Sequence, residues 1–263
     1  MSSLDKALNI LKVLSGKNGG AGVLQLSEEV DLPPSTVHRL LSELIQYNLI
    51  VKDEASRQYM CGPGLLAMGF SYLRKNGINV IAQPYLNECS EVLNETGCIA
   101  ILANNQVICA ATAMVDDQER PLQLFMGIGK QLPLHASAAA WSIIAFLDEK
   151  RIKDILKENS YTVFNENTPR NFEKVKYHLL KTRENGYAVC DGEMDVGVTV
   201  FSFPIYDKRG QSAASISIVG PQYRMMSDNS KKKIILTLGE YANKISLALG
   251  CPEEILKTEF EVS

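Results

Sequence analysis

Between Pro34 and Gln46 the apolar residues Val37, Leu40, Leu41, Leu44 and Ile45 recur at spacings of three and four. That period predicts a helix with one buried face. The opposite face is polar, carrying Ser35, Thr36, His38, Arg39, Ser42, Glu43 and Gln46. Proline lacks an N–H and fits a helix only in its first turn, so Asp31-Leu32-Pro33-Pro34 marks where this helix starts. Upstream, Leu24, Leu26 and Val30 pattern a shorter helix. Asn48 tolerates the left-handed conformation that ends helices. After it, Leu49–Lys52 and Arg57–Met60 read as two β-prone runs with Asp53-Glu54-Ala55-Ser56 as a hairpin tip. Helix, proline turn, polar-faced helix and hairpin, in that order, spell a winged helix-turn-helix. Such a fold sets its second helix against base edges and phosphates. The candidate DNA contacts are therefore Ser35, Thr36, His38, Arg39 and Ser42 on the helix, with Lys52 and Arg57 on the wing.

The same patterning extends outward. Leu4, Ala7, Leu8, Leu11 and Leu14 form one stripe, a first helix that closes the small domain's core and ends at the glycine-rich run 15–20. Gly62-Pro63-Gly64 breaks the hairpin, and Leu65–Leu73 is apolar on most faces, which suits packing between domains or against a second copy of the chain. A longer helix is expected from Asn79 to Thr96-Gly97. Cys98–Ala103 and Val107–Ala113 read as a hairpin, Leu122–Met126 as another strand, 127–133 as a loop, and Ala136–Leu147 as a helix rich in small residues. Helices over Asp148–Lys157 and Asn171–Asn185 follow, then strands Thr199–Tyr206 and Ala213–Val219, then a closing helix Ser227–Leu249. The larger part is thus a sheet with helices in α+β order.

The 263 residues exceed the usual single-domain size, so a small domain followed by a larger one is expected. At 46% hydrophobic and 22% charged residues the chain has an ordinary globular composition, and no apolar run approaches the ~18 residues that span a membrane. The first 20 residues lack the continuous apolar stretch of a secretory signal, and the protein is expected to stay in the cytoplasm. Six scattered cysteines without a C-x-x-C pair and three separated histidines argue against a zinc site, and no cofactor is expected. In a reducing compartment those thiols read as small buried apolar groups. The net charge of -3 gives no global attraction to nucleic acid. Residues 1–62 repeat that balance, with six cationic side chains against seven acidic ones, so only the placement of Arg39, Lys52 and Arg57 favours DNA.

Catalytic constellations are weak. Gly127-x-Gly129 lacks the third glycine and the strand-turn-helix setting of a dinucleotide site. His135 and Ser137 with an acid among Asp191, Glu193 and Asp195 lack a nucleophile elbow. The small-residue run Ala136–Ala140 after a glycine-bearing loop is more informative. A helix start has N–H groups without intrahelical partners and attracts an anion, while small side chains leave room for one.

Several motifs in one order resemble the IclR family of bacterial transcriptional regulators over nearly the whole chain. They are LDKALNILKVL, LPPSTVHRLLSEL, YMCGPGLLAMG, GKQLPLHAS, RENGYAVCDGEMDVGV and SFPIYDKRGQSAASISIVGP. The resemblance implies three parts: a winged helix at 1–62, a linker helix at 63–77, and a larger α/β effector-binding and oligomerisation domain at 78–263 with an antiparallel, GAF/PAS-like sheet. It implies a homodimer or dimer of dimers that binds double-stranded operator DNA and answers to a small-molecule effector, often an organic acid. The effector positions it implies are Leu132, Ala138, Ala139, Cys190, Asp191, Val200, Ser202, Ser217 and Val219.

Departures bear on the effector. Where such proteins have Gly-x-Gly-Lys-Ala after HAS, this chain has Ala138-Ala139-Ala140-Trp141-Ser142, and Trp141 either narrows the cavity or packs behind it. Val200 stands where the family often has cysteine, and Ser202-Phe203 replaces a small pair. None of the nine implied positions is lysine or arginine, so a small carboxylate with an apolar portion fits better than a sugar phosphate. The expected function is a ligand-responsive DNA-binding transcriptional regulator rather than an enzyme. The alternative is a metabolite-binding protein or enzyme that retains the fold without operator binding.

Overall fold

The computed structural model describes residues 2–17, 19–115, 127–257 and 260, without the side chains of 70 and 72–76. The expected strand at Leu122–Met126 lies outside the described residues. The chain divides into two compact units, residues 1–76 and 77–263.

The first unit contains α1 (Ser3–Ser15), α2 (Val23–Val30), α3 (Pro34–Gln46), β1 (Ile50–Lys52), β2 (Tyr59–Cys61) and α4 (Pro63–Asn76). A capping box starts α1: Asp5 N–H donates to the Ser2 hydroxyl at 3.1 Å, and Ser2 N–H donates to the Asp5 carboxylate at 2.8 Å. Pro34 opens α3, and Asp31 takes the left-handed conformation that closes α2. The wing pairs Ile50 with Cys61 and Lys52 with Tyr59, and Ala21 bridges to Tyr59 as a third, one-residue partner that sequence alone did not suggest.

Ile10, Leu14, Leu26, Val30, Val37, Leu40, Leu41, Leu44, Ile50 and Tyr59 form one buried cluster. Four expected core residues lie outside it: Leu4, Leu8 and Leu24 are more than half exposed, and Ile45 sits at the rim. The stripe of α1 is rotated because Ile10, Leu14, Ala7 and Leu11 point inward, which a count of leucines alone obscures. Gly62 is required by close approach, since a Cβ there would meet the Asn48 carbonyl oxygen at 2.4 Å. The backbone it frees donates from Gly62 N–H to Leu49 O at 2.8 Å, seating the wing on the end of α3.

The second unit contains α5 (Ile78–Leu93), β3 (Thr96–Ala103), β4 (Gln106–Ala113), β5 (Gln131–Leu132), α6 (Ala138–Ile144), α7 (Glu149–Lys157) and α8 (Phe172–Asn185). It continues with β6 (Ala188–Asp191), β7 (Val198–Tyr206), β8 (Ser212–Pro221), α9 (Gln222–Met225) and α10 (Asp228–Ala248). Six strands form one sheet in the order β5-β4-β3-β8-β7-β6, each neighbouring pair antiparallel. Helices α5 and α10 pack against β3, β7 and β8, while α6 crosses β7 and β8 with α8 beside it. Strand alternation separates the two faces. Ser202 hydrogen-bonds Ser142 of α6, so Phe201, Phe203 and Ile205 point to the α10 side. No described helix is long and apolar enough to cross a membrane.

Two elements depart from expectation here. Gln131–Leu132 is a short edge strand rather than loop, and Ala188–Asp191 is a four-residue edge strand that the sequence pattern did not mark. The small-residue helix begins at Ala138 instead of Ala136, because Ser137 is still extended (φ -138°, ψ 123°) and serves as its N-cap residue.

Candidate effector cavity and DNA-facing surface

The β4–β5 edge, the start of α6, and the strands β6, β7 and β8 surround a cavity of about 420 Å³. That volume falls in the range of small-molecule sites. Seven of the nine implied effector positions line it: Leu132, Ala138, Ala139, Cys190, Val200, Ser217 and Val219. They come from four separate stretches of sequence, and sheet pairing unites them, with Cys190 opposite Val200 and Val200 opposite Val219. The alanines at the start of α6 keep the backbone close to this space, as their small side chains suggested.

Asp191 and Ser202 do not line the cavity. Asp191 accepts hydrogen bonds from Thr199 Oγ1 at 2.5 Å and from Gln222 Nε2 at 3.1 Å, which tie down the strand end. Ser202 is fully buried. Ser217 Oγ donates to Ser202 Oγ at 2.9 Å, Ser202 lies 2.8 Å from Ser142 Oγ, and Ser142 donates to Ala139 O at 3.1 Å. This hydroxyl chain fastens α6 to the sheet, so Ser202 supports the cavity wall from behind.

Sequence reading missed Lys130, Ala136, Ser137, Met194, Asp195 and Val198 on the lining. The available signal was adjacency: Lys130 stands two residues before Leu132 in GKQLPLHAS, and Met194–Val198 ends the motif that contains Cys190. Lys130 matters most, because it gives the wall the cation that the nine positions lacked. A helix of seven residues has little dipole, so α6 offers an anion less than its expected twelve-residue form would.

Trp141 packs behind the cavity. It is fully buried and stacks on His178 with ring centroids 4.0 Å apart and planes 17° apart. Burial pushes the His178 imidazole down to about 4, with Lys181 and Lys174 acting in the same direction. Burial likewise raises the Glu193 carboxyl and the Cys190 thiol. His135 Nε2 donates to Thr162 O at 2.9 Å and its Nδ1 accepts from Asn159 Nδ2 at 3.2 Å, so it holds the 159–164 loop in place and forms no nucleophile pair with Ser137.

In the first unit Ser35, His38, Arg39 and Ser42 are exposed on one face of α3 with Thr36 half-buried beside them, and Lys52 and Arg57 are exposed on the wing. Two of the cations already have partners. Arg39 pairs with Glu43 one turn on, and Lys52 lies 3.3 Å from Glu54. Exposed pairs contribute at most about 1 kcal/mol, so a phosphate or guanine can replace either carboxylate. The Ser42 hydroxyl donates to His38 O at 2.9 Å and is the most committed of the seven groups.

A winged helix-turn-helix in one unit and a ligand-sized cavity in the other are the two halves of a helix-turn-helix transcriptional regulator. Residues 3–54 match the IclR helix-turn-helix domain, and residues 70–247 match the C-terminal domain of the bacterial transcriptional regulator IclR. The chain belongs to the IclR family. The regulator BhcR of Paracoccus denitrificans is 29% identical over 94% of this chain and 87% of its own length. The acetate operon repressor of Salmonella typhimurium is 27% identical over 95% and 90%. A solved IclR homolog from Microbacterium hydrocarbonoxydans, complexed with 4-hydroxybenzoate, shares the fold with a TM-score of 0.80 at 18% identity, covering 94% of this chain and 99% of that one.

Proposed function

We infer that residues 1–62 bind operator DNA, that 63–77 link the parts, and that 78–263 bind an effector and oligomerise, so that a small organic acid in the cavity changes the hold on DNA. The observation that carries this reading is the convergence of seven implied effector positions on one cavity in a chain with a complete winged helix. Lys130 takes the carboxylate, Ala138, Ala139, Val200 and Val219 enclose an apolar body, and Ser217 and Asp195 suit a hydroxyl at its far end. The test is selection of bound fragments from random DNA by purified protein, with and without a panel of small carboxylates that includes 4-hydroxybenzoate. Recovery of one motif whose binding a carboxylate alters supports the reading. Absence of any selected motif would favour a metabolite-binding protein without an operator.

Ser35, Thr36, His38, Arg39 and Ser42 would meet the major groove, with Lys52 and Arg57 on the flanking backbone. On the selected site, Arg39→Ala is expected to lose roughly 1–3 kcal/mol of specific binding. Fluorescence anisotropy showing wild-type affinity for that variant would remove α3 from the interface.

One winged helix buries too little surface for tight specific binding, so two copies should read half-sites spaced by whole turns of about 34–36 Å. Leu66 and Met68 on α4 are more than three-fifths exposed, and Leu65, Phe70 and Leu73 complete the segment for which a second copy is proposed as partner. The chain is expected to sediment as a dimer or larger at micromolar concentration, and a monomer would exclude this contact. The protein is expected to act in the cytoplasm.

A further inference from the structure

The pairing of β3 with β4 contains an irregularity: Ile99 faces Ala111, but Ala100 faces Cys109, leaving Ala110 as an extra residue. A bulge of this kind bends and twists the strand locally. Here it carries two cysteines that a regular ladder would keep apart, Cys98 opposite Thr112 and Cys109 opposite Ala100, into contact at 3.3 Å between sulfurs. Both thiols are free and fully buried. No other pair of the six cysteines is hydrogen-bonded sulfur to sulfur among the described residues.

Cys109 is also the point from which one wall of the cavity hangs. Its N–H donates to Lys130 O at 3.0 Å, and its carbonyl accepts from Gly129 N–H at 2.7 Å. The next two residues back along β4, Ile108 and Val107, pair with Gln131 and Leu132. Lys130 and Leu132 line the cavity. Position 109 therefore couples the sulfur contact on one side to the ligand wall on the other through backbone hydrogen bonds.

We propose that Cys98 and Cys109 are a redox pair which a hydroperoxide converts into an intramolecular disulfide, fixing β3 to β4 and altering the wall that Gly129–Leu132 forms. The Cys109 thiolate attacks the terminal peroxide oxygen, the O–O bond breaks, and the leaving alkoxide takes the proton released by the thiol. The Cys98 sulfur then displaces hydroxide from the Cys109 sulfenic acid, the S–S bond forms, and the hydroxide leaves as water with the Cys98 proton. Two thiols lose two electrons and two protons, and the hydroperoxide becomes an alcohol and water. The assignment of roles follows the hydrogen bond. Donation from Cys98 holds the Cys109 thiol below its ordinary value, with Lys130 acting in the same direction, and raises Cys98. Both sulfurs are buried, so access requires a local opening of the sheet face around them, short of global unfolding. The proposal does not depend on the DNA reading. Only its last clause rests on the cavity being the effector site.

The sequence makes the test direct. Cleavage after glutamate releases residues 96–119, which contain Cys98 and Cys109 and no other cysteine. Full-length reduced protein is treated with hydrogen peroxide, alkylated, digested and weighed. The expected product is that peptide unalkylated and lighter by two hydrogens, restored to the doubly alkylated form by dithiothreitol, while Cys89, Cys190 and Cys251 remain alkylated. Cys98→Ala and Cys109→Ala should each abolish it. A 96–119 peptide that stays doubly alkylated at peroxide levels that oxidise the exposed Cys61, or in which fragmentation places added oxygen on Cys98 or Cys109 rather than on Met114, overturns the proposal. Amide hydrogen exchange over residues 127–132 is then compared between the two forms. Slower exchange in the bridged protein supports coupling to the wall, and unchanged exchange overturns that coupling.

Discussion

Trp141→Ala is expected to lower unfolding free energy by about 3–5 kcal/mol, the range for deleting a fully buried large aromatic side chain. Trp141 is the one tryptophan in the chain, has no exposed surface, and belongs to a cluster with Ile144, Val175, Leu179, Ala188 and Cys190. Removing it leaves a void between α6 and α8 and strips the stacking partner from His178. Its Nε1 has no hydrogen-bond partner among the described residues, an unmet donor in an apolar setting. Trp141→Phe discards that donor and keeps most of the ring, so its cost should stay below about 1.5 kcal/mol. Urea unfolding followed by far-ultraviolet circular dichroism separates the two variants without relying on tryptophan emission. Equal costs for both would mean that the indole nitrogen has a role that packing does not supply.

The same residue shows what a sequence can and cannot specify. That a tryptophan replaced the usual lysine was plain from the motif, but whether it narrowed the cavity or backed it depended on the turn at which α6 begins. That start moved two residues because Ser137 remains extended. The first unit was more legible, because prolines, glycines and three-four spacing act locally: Pro34 opens α3, Asn48 closes it with φ 56°, and Gly62 meets the carbonyl of Asn48. Even there, the faces of α1 and α2 were misplaced, since Leu4, Leu8 and Leu24 satisfy a periodic stripe and yet stay in water. In the second unit the long strands and capped helices were legible, with Asn171 and Gly186 bounding α8. Edge strands of two and four residues were not: Gln131–Leu132 is defined by a partner far back along the chain, and Ala188–Asp191, although it pairs with the next strand in sequence, is too short to mark itself. Lys130 and Asp195 join the lining for the same non-local reason, and the contact between Cys98 and Cys109 depends on a bulge that leaves no mark in composition.

Ala138→Trp is expected to abolish the response to a carboxylate effector while leaving DNA binding in its absence at the wild-type level. Ala138 lines the cavity and is 1% exposed, so an indole at that position has only the ligand's space to enter. All seven proposed DNA contacts lie in the first unit, residues 1–76, which does not include this position. Overpacking can itself cost about 1–3 kcal/mol, so circular dichroism must first show the variant folded. Lys130→Gln gives a second arm that packing does not confound, because Lys130 is exposed. A hydrogen bond to a charged group contributes about 1.5–3 kcal/mol, so this change should weaken a carboxylate roughly 10- to 100-fold while sparing a neutral amide of the same shape. Isothermal titration of the acid and its amide against both variants decides the matter. If Ala138→Trp binds the acid as wild type does, the effector lies elsewhere. If only Lys130→Gln binds it normally, the cavity stands and the carboxylate points away from Lys130, toward the N–H groups at the start of α6.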